Sequence, residues 1–164
     1  MASTTWEGMA TAEMNGVTAN QVWPLLADFC NIHQFHPDLE TGHIVEGTQG
    51  VPGMVRFCSA RPSPSHSSVL WVKERLLTID HHRKRLSYEI TENNMGFTRY
   101  VATMEVLDQG RRECRLQWSF VADPVEGWTR DSLEAYLFQT LQAIARNMEQ
   151  YTLRFEHFPV HGNT

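Results

Sequence analysis

The stretch "LEAYLFQTLQAIARNMEQYTLRF", Leu133 to Phe155, places Leu133, Tyr136, Leu137, Leu141, Ile144, Met148, Tyr151 and Phe155 at three- and four-residue spacing. Sustained over roughly six turns, that period predicts one long amphipathic helix. Thr129 stands where it can cap the start, and "HFPVHGNT" ends the helix with Pro159 and a polar tail. The chain before it follows a different period. "GHIVEG", "GMVRFCS", "SSVLWVKERLLTID", "RLSYEITE", "FTRYVATMEVLD" and "ECRLQWSFVAD" read as strands, separated by turn signals such as "QGVPG" at Gln49 to Gly53 and "HHRKR" at His81 to Arg85.

Ahead of these strands, "TWEGMATAEMNG" alternates weakly as a first strand. "VTANQVWPLLADF" then opens a helix with Thr18 and Gln21 in capping-box spacing and Val22, Leu25, Leu26 and Phe29 as its buried stripe. Pro24 inside that helix predicts a kink or a later start, and "NIHQFHPDLE" predicts a second short helix ended before Pro37. One strand, two short helices, six closely spaced strands and a long helix leave few arrangements. The expected class is α+β: a curved antiparallel sheet of about seven strands gripping the C-terminal helix in a single domain, residues 1–164. A curved sheet that does not close on its helix leaves a cavity, which is where small ligands bind.

Composition narrows the partners. A 164-residue chain with 41% hydrophobic and 20% charged residues is an ordinary globular protein, and a formal charge of -5 offers no basic surface for nucleic acid or anionic lipid. No window reaches the ~18 to 20 apolar residues of a membrane span, and "MASTTWEGMA" lacks the head and core of a secretory signal, so the expected location is cytoplasmic. No obligate protein partner is evident, and a small molecule is the expected one. Cys30, Cys58 and Cys114 are scattered and unpaired in spacing, suggesting neither a disulfide framework nor a zinc site. "SARPSPSHSS", Ser59 to Ser68, reads as a mobile loop of the kind that often flanks a binding site.

The polar residues on apolar faces carry the functional signal. In "VLWVKERLLTID" the alternation puts Glu74 on one face with Leu70, Val72 and Leu76, opposite Trp71, Lys73, Arg75 and Leu77. Even positions of the next two strands give Leu86, Tyr88 and Ile90, then Thr98, Tyr100, Ala102, Met104 and Val106; Leu116, Trp118 and Phe120 share a face after them. Arg56 lies between Met54 and Cys58, but Val55 and Phe57 make the other face equally apolar, so its direction is open. If Arg56 points inward, it and Glu74 would be buried together. That pair is then either a structural salt bridge, or an edge carboxylate reaching solvent, or part of a cavity. In a cavity, a desolvated carboxylate would have a raised pKa and exchange protons near neutral pH, arginine would orient an acidic oxygen, and Tyr88 and Tyr100 would donate to that oxygen. Trp118 is large enough to form a wall, with Leu76, Met104, Phe120, Tyr136 and Thr140 as further pocket candidates.

Other clusters carry less. His33 and His36 stand three apart, yet no third ligand supports them, so no metal site is expected. "HHRKR" reads as a solvated turn, and "GTQGVPG" as a turn rather than a phosphate cradle.

The blocks "WEGMATAEMNGVTANQVWPLLADFCNIHQFHPDL", "VEGTQGVPGMVRF", "WVKERLLTID", "YEITENNMGFTRYVATM" and "QWSFVADPVEGWT" carry a family likeness over nearly the whole chain. The order of elements resembles the helix-grip, START-like (SRPBCC) superfamily, which includes the birch pollen allergen group, polyketide cyclase/dehydrase-like proteins and abscisic acid receptors. Within it the chain is most similar to the lachrymatory factor synthases of onion and its plant relatives. The resemblance implies an isomerase in which Glu74 shuttles a proton on an alkenyl sulfenic acid to give a thial S-oxide, while Arg56, Tyr88 and Tyr100 hold the sulfur-bound oxygen and Trp118 shapes the pocket. It implies no metal or organic cofactor. Thr140 stands where the onion enzyme, as aligned, carries tryptophan, and "ARPSPSHSS" matches poorly; both bear on pocket size and substrate.

The competing reading is a non-catalytic carrier or receptor for a small hydrophobic plant metabolite or hormone, since a fold alone does not choose a function. "SARPS" is at best a degenerate form of the abscisic acid receptor gate, and no His-Arg-Leu latch stands near "NNMGFTRY". Lys73 faces away from Glu74, leaving no inward lysine for a polyketide cyclase or Pictet-Spengler enzyme.

Overall fold

The computed structural model describes residues 4–65 and 67–156. Seven strands run β1 (Trp6–Asn15), β2 (Leu39–Glu46), β3 (Val55–Ala60), β4 (Trp71–Asp80), β5 (Arg85–Asn93), β6 (Tyr100–Asp108) and β7 (Glu113–Ala122). They form one antiparallel sheet in the order β1-β7-β6-β5-β4-β3-β2. Helix α1 (Ala19–Ala27) and a 3-10 helix (Phe29–Gln34) link β1 to β2, and α2 (Arg130–Glu156) closes the chain. This is the helix-grip arrangement expected from the order of periods.

The sheet bends because its ladders slip. Register shifts interrupt β2 against β3 and, on either side of Glu74, β4 against β5, where Leu77 and Thr91 are the extra residues. Such bulges bend the strand and tighten its twist. At the β2–β3 connection Gly47 has φ +82, and a Cβ there would lie 2.8 Å from Met54 Cα, so only glycine fits that turn.

Helix α2 packs Leu133, Leu137, Leu141, Ile144 and Met148 against the sheet. Its polar side chains also cap the free edge of β1: Met9 N–H donates to Glu134 (3.0 Å), Asn15 N–H to Glu149 (3.2 Å), and Gln142 donates to the Thr11 carbonyl (2.7 Å). An edge strand's unpaired backbone is thereby satisfied within the chain. Small Ala10 and Ala12 on the inner face of β1 leave room for the helix.

Several local expectations are sharpened. Thr18 and Gln21 form the capping box, and α1 runs from Ala19 through an exposed Pro24 rather than starting after it. Its buried face includes Trp23, while Leu25 is only partly buried. Thr129 caps α2 by accepting from Ser132 N–H at 3.0 Å; the expected stop at Pro159 lies outside the described residues. The stripe on α2 ends earlier than its periodicity suggests. Tyr151 and Phe155 are 39% and 59% exposed, Tyr151 meeting Phe35 edge-on at 5.5 Å rather than joining the sheet core. β4 starts at Trp71 and β6 at Tyr100, so Leu70 is only partly buried and Thr98 sits in an exposed turn rather than on the inner face. Among the described residues, no helix is long and apolar enough to cross a membrane.

Candidate ligand cavity

Arg56 and Glu74 are direct cross-strand partners of β3 and β4, so the pleat sends both side chains to the inner face. Arg56 is 5% exposed and Glu74 8%. Arg56 Nε and Nη2 both meet Glu74 Oε1 at 2.9 Å, and Nη1 donates to the Phe29 carbonyl at 2.5 Å. The guanidinium carbon lies 3.6 Å from the centre of the Phe29 ring and 5.0 Å from that of Tyr88. Burial opposes the arginine's charge, but Glu74 beside it raises its pKa above the usual value. Three of its five N–H groups are thus engaged within the protein. Arg56 is first of all the clamp of Glu74, and Glu74 Oε2 receives no hydrogen bond from the described residues.

The pair stands on the wall of a cavity of about 630 Å³ between sheet and α2. Tyr88, Tyr100, Trp118, Met104 and Tyr136 line it too, so the structure brings these expected residues together. Leu76, Phe120 and Thr140 do not line it. All three are buried, Phe120 stacked on Tyr100 at 5.9 Å and Thr140 beside the Tyr136 hydroxyl one helical turn away. Alternation assigns a face but not a depth, and these three occupy the packed part of the inner face.

Burial, then the charges of neighbouring groups including Glu74, pushes the Tyr88 and Tyr100 phenols well above their usual range. Both are neutral donors at physiological pH. Tyr100 Oη and Trp118 Nε1 are close enough to act on one another, yet neither makes a hydrogen bond of normal geometry. The Tyr88 hydroxyl stands within reach of both, so the three polar groups form one cluster on the cavity wall.

The sequence reading missed His36 as a cavity residue. It treated His33 and His36 as a candidate metal pair, but His33 packs against Gly42 of β2 whereas His36 lines the cavity. His36 Nδ1 accepts from Asp38 N–H at 3.1 Å, which places the ring proton on Nε2. Burial, with Arg56 reinforcing and Asp38 opposing, lowers its pKa to about 4. Spacing offered no signal for this, because the chain leaves its helical period at Phe35. Among the described residues, no three His, Cys, Asp or Glu side chains gather as for a metal ion.

Other nucleophiles are poorly placed. Cys58 lines the cavity, but burial pushes its thiol up to about 12 against the opposing charge of Arg56. The chain's two lysines, Lys73 and Lys84, are absent from the lining; Lys73 pairs with Glu92 on the outer face. Glu74 and His36 are therefore cavity-lining side chains with an oxygen or nitrogen to offer as a base. The lining also takes in residues 36–39, Arg61, Pro62 and Ser68 between β3 and β4, and Asn94, Trp128 and Tyr136. Tyr136 donates to Asp38 at 2.7 Å, tying α2 to the start of β2.

Residues 6–152 match the family described as polyketide cyclase / dehydrase and lipid transport. Among solved structures, the protein XoxI from Bacillus cereus superposes with a TM-score of 0.73 at 20% identity, covering 93% of this chain and 99% of its own. The ginseng major latex-like protein 151 from Panax ginseng gives 0.73 at 17% identity, over 91% and 98%. A point mutant of norcoclaurine synthase from Thalictrum flavum, in complex with a transition-state analogue, gives 0.70 at 17% identity, over 95% and 99%. These likenesses establish a shared fold.

Proposed function

Because the chain belongs to the polyketide cyclase / dehydrase and lipid transport family, whose description covers both catalysis and carriage, we propose that it binds a small metabolite in the sheet–helix cavity and catalyses proton transfer on it. The observation that supports this is Glu74: a carboxylate on the cavity wall, one oxygen clamped by Arg56, standing beside neutral phenols. A buried charge held by its partner on one side only is placed for chemistry on the other.

The sharpest form is lachrymatory factor synthase-like. Glu74 takes the proton from the S–O–H of an alkenyl sulfenic acid, the C=C electron pair takes up the proton at the double-bond carbon farther from sulfur, and a C=S bond forms from the sulfur-bound carbon. The carbon that gains the proton, the far carbon of the former double bond, becomes a CH2 group, and the product is a thial S-oxide with the same atoms and electrons, so the stoichiometry calls for no cofactor. Tyr88 and Tyr100 donate to the oxygen as charge develops on it, and Arg56 keeps Glu74 in place.

The test offers the protein propenesulfenic acid, generated in place by an alliinase, and measures thial S-oxide from wild type, Glu74→Gln and Arg56→Leu. Loss of a positioned proton carrier should lower the rate of Glu74→Gln by about a hundredfold or more. Equal product from Glu74→Gln and wild type removes Glu74 from the mechanism; none from wild type removes this substrate. A carrier of a hydrophobic metabolite is the second reading, favoured by the largely apolar 630 Å³ cavity and by the lipid-transport part of the family description.

A further inference from the structure

His36 reaches the cavity from outside the sheet. It follows the 3-10 helix, whose exit is fixed by Asn147 of α2 donating to the Phe35 carbonyl at 2.8 Å, and it lines the same cavity as Arg56 and Glu74. Arg56, the clamp of Glu74, is near enough for its charge to act on the imidazole. The sheet's own donors, the hydroxyls of Tyr88 and Tyr100 and the Trp118 indole, lie within reach of one another. His36 is not among the groups that act on them.

The two ring nitrogens differ. Nδ1 is spent within the chain, accepting from Asp38 N–H at 3.1 Å, so the ring proton sits on Nε2. Nε2 diverges from that bond across the ring. It has no hydrogen-bond partner among the described residues, and it is not enclosed by protein as Tyr100 Oη is. The charged groups acting on the ring are Asp38, on its own segment, and Arg56 on β3, which spends three N–H groups on Glu74 and the Phe29 carbonyl. Arg61, the other cation of the lining, is exposed and donates from Nε to the Pro37 carbonyl at 3.3 Å. Burial keeps the imidazole uncharged at neutral pH. A neutral N–H suits an oxygen on which charge develops, because it donates without giving up its proton.

We infer that His36 is a catalytic residue of this cavity besides Glu74: its Nε2–H donates to the oxygen whose proton Glu74 takes, and holds that oxygen as negative charge develops on it. His36 makes and breaks no covalent bond. The proton moves through Glu74, and Asp38 N–H keeps the donor on Nε2 by occupying Nδ1. The role of His36 in the reaction rests on the proton-transfer reading of the cavity; the contact between Nε2–H and a bound oxygen does not.

Two measurements on the purified chain test it. In imidazole NMR of the 15N-labelled protein, His36 should show the Nε2–H tautomer and stay uncharged from about pH 6 to 8. Dipropyl sulfoxide, a stable stand-in for the sulfur-bound oxygen, should move the Nε2–H proton downfield, and dipropyl sulfide, which lacks the oxygen, should not. An Nδ1–H tautomer, titration near the ordinary 6.5, or an Nε2–H that the sulfoxide leaves in place overturns the inference. The second measurement is the sulfenic acid assay. His36→Phe keeps a ring without a donor and should lower the rate by about a hundredfold, while His36→Gln, whose amide nitrogen can stand where Nε2 does, should stay within about tenfold of wild type. Equal rates for wild type and His36→Phe overturn the inference and leave the role of Glu74 intact. No thial S-oxide from wild type, with the sulfoxide shift present, removes that substrate and leaves the Nε2–H contact standing. If His36→Phe fails to fold, the sulfoxide shift in wild type decides alone.

Discussion

Replacing the buried ion pair one residue at a time, and then together, separates its stabilising role from its chemical one. Glu74→Leu strands a guanidinium that is 5% exposed, and Arg56→Met strands a carboxylate that is 8% exposed. Removing one partner of a buried pair costs about 3–5 kcal/mol. Replacing both with apolar residues of similar size is often neutral or stabilising by about 1–4 kcal/mol. Here the double variant also loses the charged hydrogen bond to the Phe29 carbonyl and the contact with the Phe29 ring, about 1.5–3 and 1–2 kcal/mol respectively. These opposing effects place Arg56→Met/Glu74→Leu between about 1.5 kcal/mol more stable and about 4 kcal/mol less stable than wild type, and the coupling energy at about 2 kcal/mol or more. Urea unfolding of the four proteins reads all of these values. Additive single losses, agreeing within about 0.5 kcal/mol, or a Glu74→Leu cost under about 1 kcal/mol as for an exposed pair, would refute the reasoning. A stable double variant that makes no product would show that the pair persists for the cavity's chemistry rather than for the fold.

Three further outcomes follow from named contacts. Thr18→Ala removes the side-chain acceptor of the α1 capping box and should lower stability by about 1 kcal/mol in urea unfolding, while Thr18→Ser should restore most of it. Gly42→Ala would set a Cβ 2.6 Å from His33 Nδ1 and 2.7 Å from the Cys30 carbonyl, so a loss of about 1–3 kcal/mol is expected; a neutral result would mean that the 3-10 helix moves away freely. His36 should make the fold acid-sensitive. Its folded pKa, about 4, lies below the ordinary 6.5, so between those values the unfolded chain holds a proton that the folded one refuses. Its contribution is complete above pH 6.5 and is lost as pH falls toward 4, by at most about 3 kcal/mol. Unfolding free energies at pH 4.5 and 7 should therefore differ less in His36→Gln, whose amide can still accept from Asp38 N–H; an unchanged difference would assign the acid sensitivity elsewhere.

Much of this was legible before the structure, and the exceptions share a cause. Glu74 declared itself because its strand alternates cleanly, Val72, Glu74 and Leu76 all being buried. Arg56 did not, because both faces of "GMVRFCS" are apolar; only pairing β3 with β4 in the register Arg56 opposite Glu74 chose its side. Met104 and Leu76 looked alike in pattern, yet one lines the cavity and the other packs beneath it. The bulges that bend the sheet around Glu74 set that difference, and they depend on how two strands fit together.

By itself the sequence determined what depends on near neighbours: the seven alternating runs, the capping box at Thr18, the glycine turn before β3, the long period of α2, and hence the class of fold. Helical and strand periods are set within about four residues, so they survive reading without a partner. The tertiary structure alone decided the placement of the polar groups. The Phe29 carbonyl that holds Arg56 is 27 residues away in the chain, the Asp38 that Tyr136 meets is 98 away, and the Trp118 N–H stands among the hydroxyls of Tyr88 and Tyr100 from two other strands. The free energy of a buried charge or donor depends on every group that replaces its water, and those groups come from distant parts of the chain.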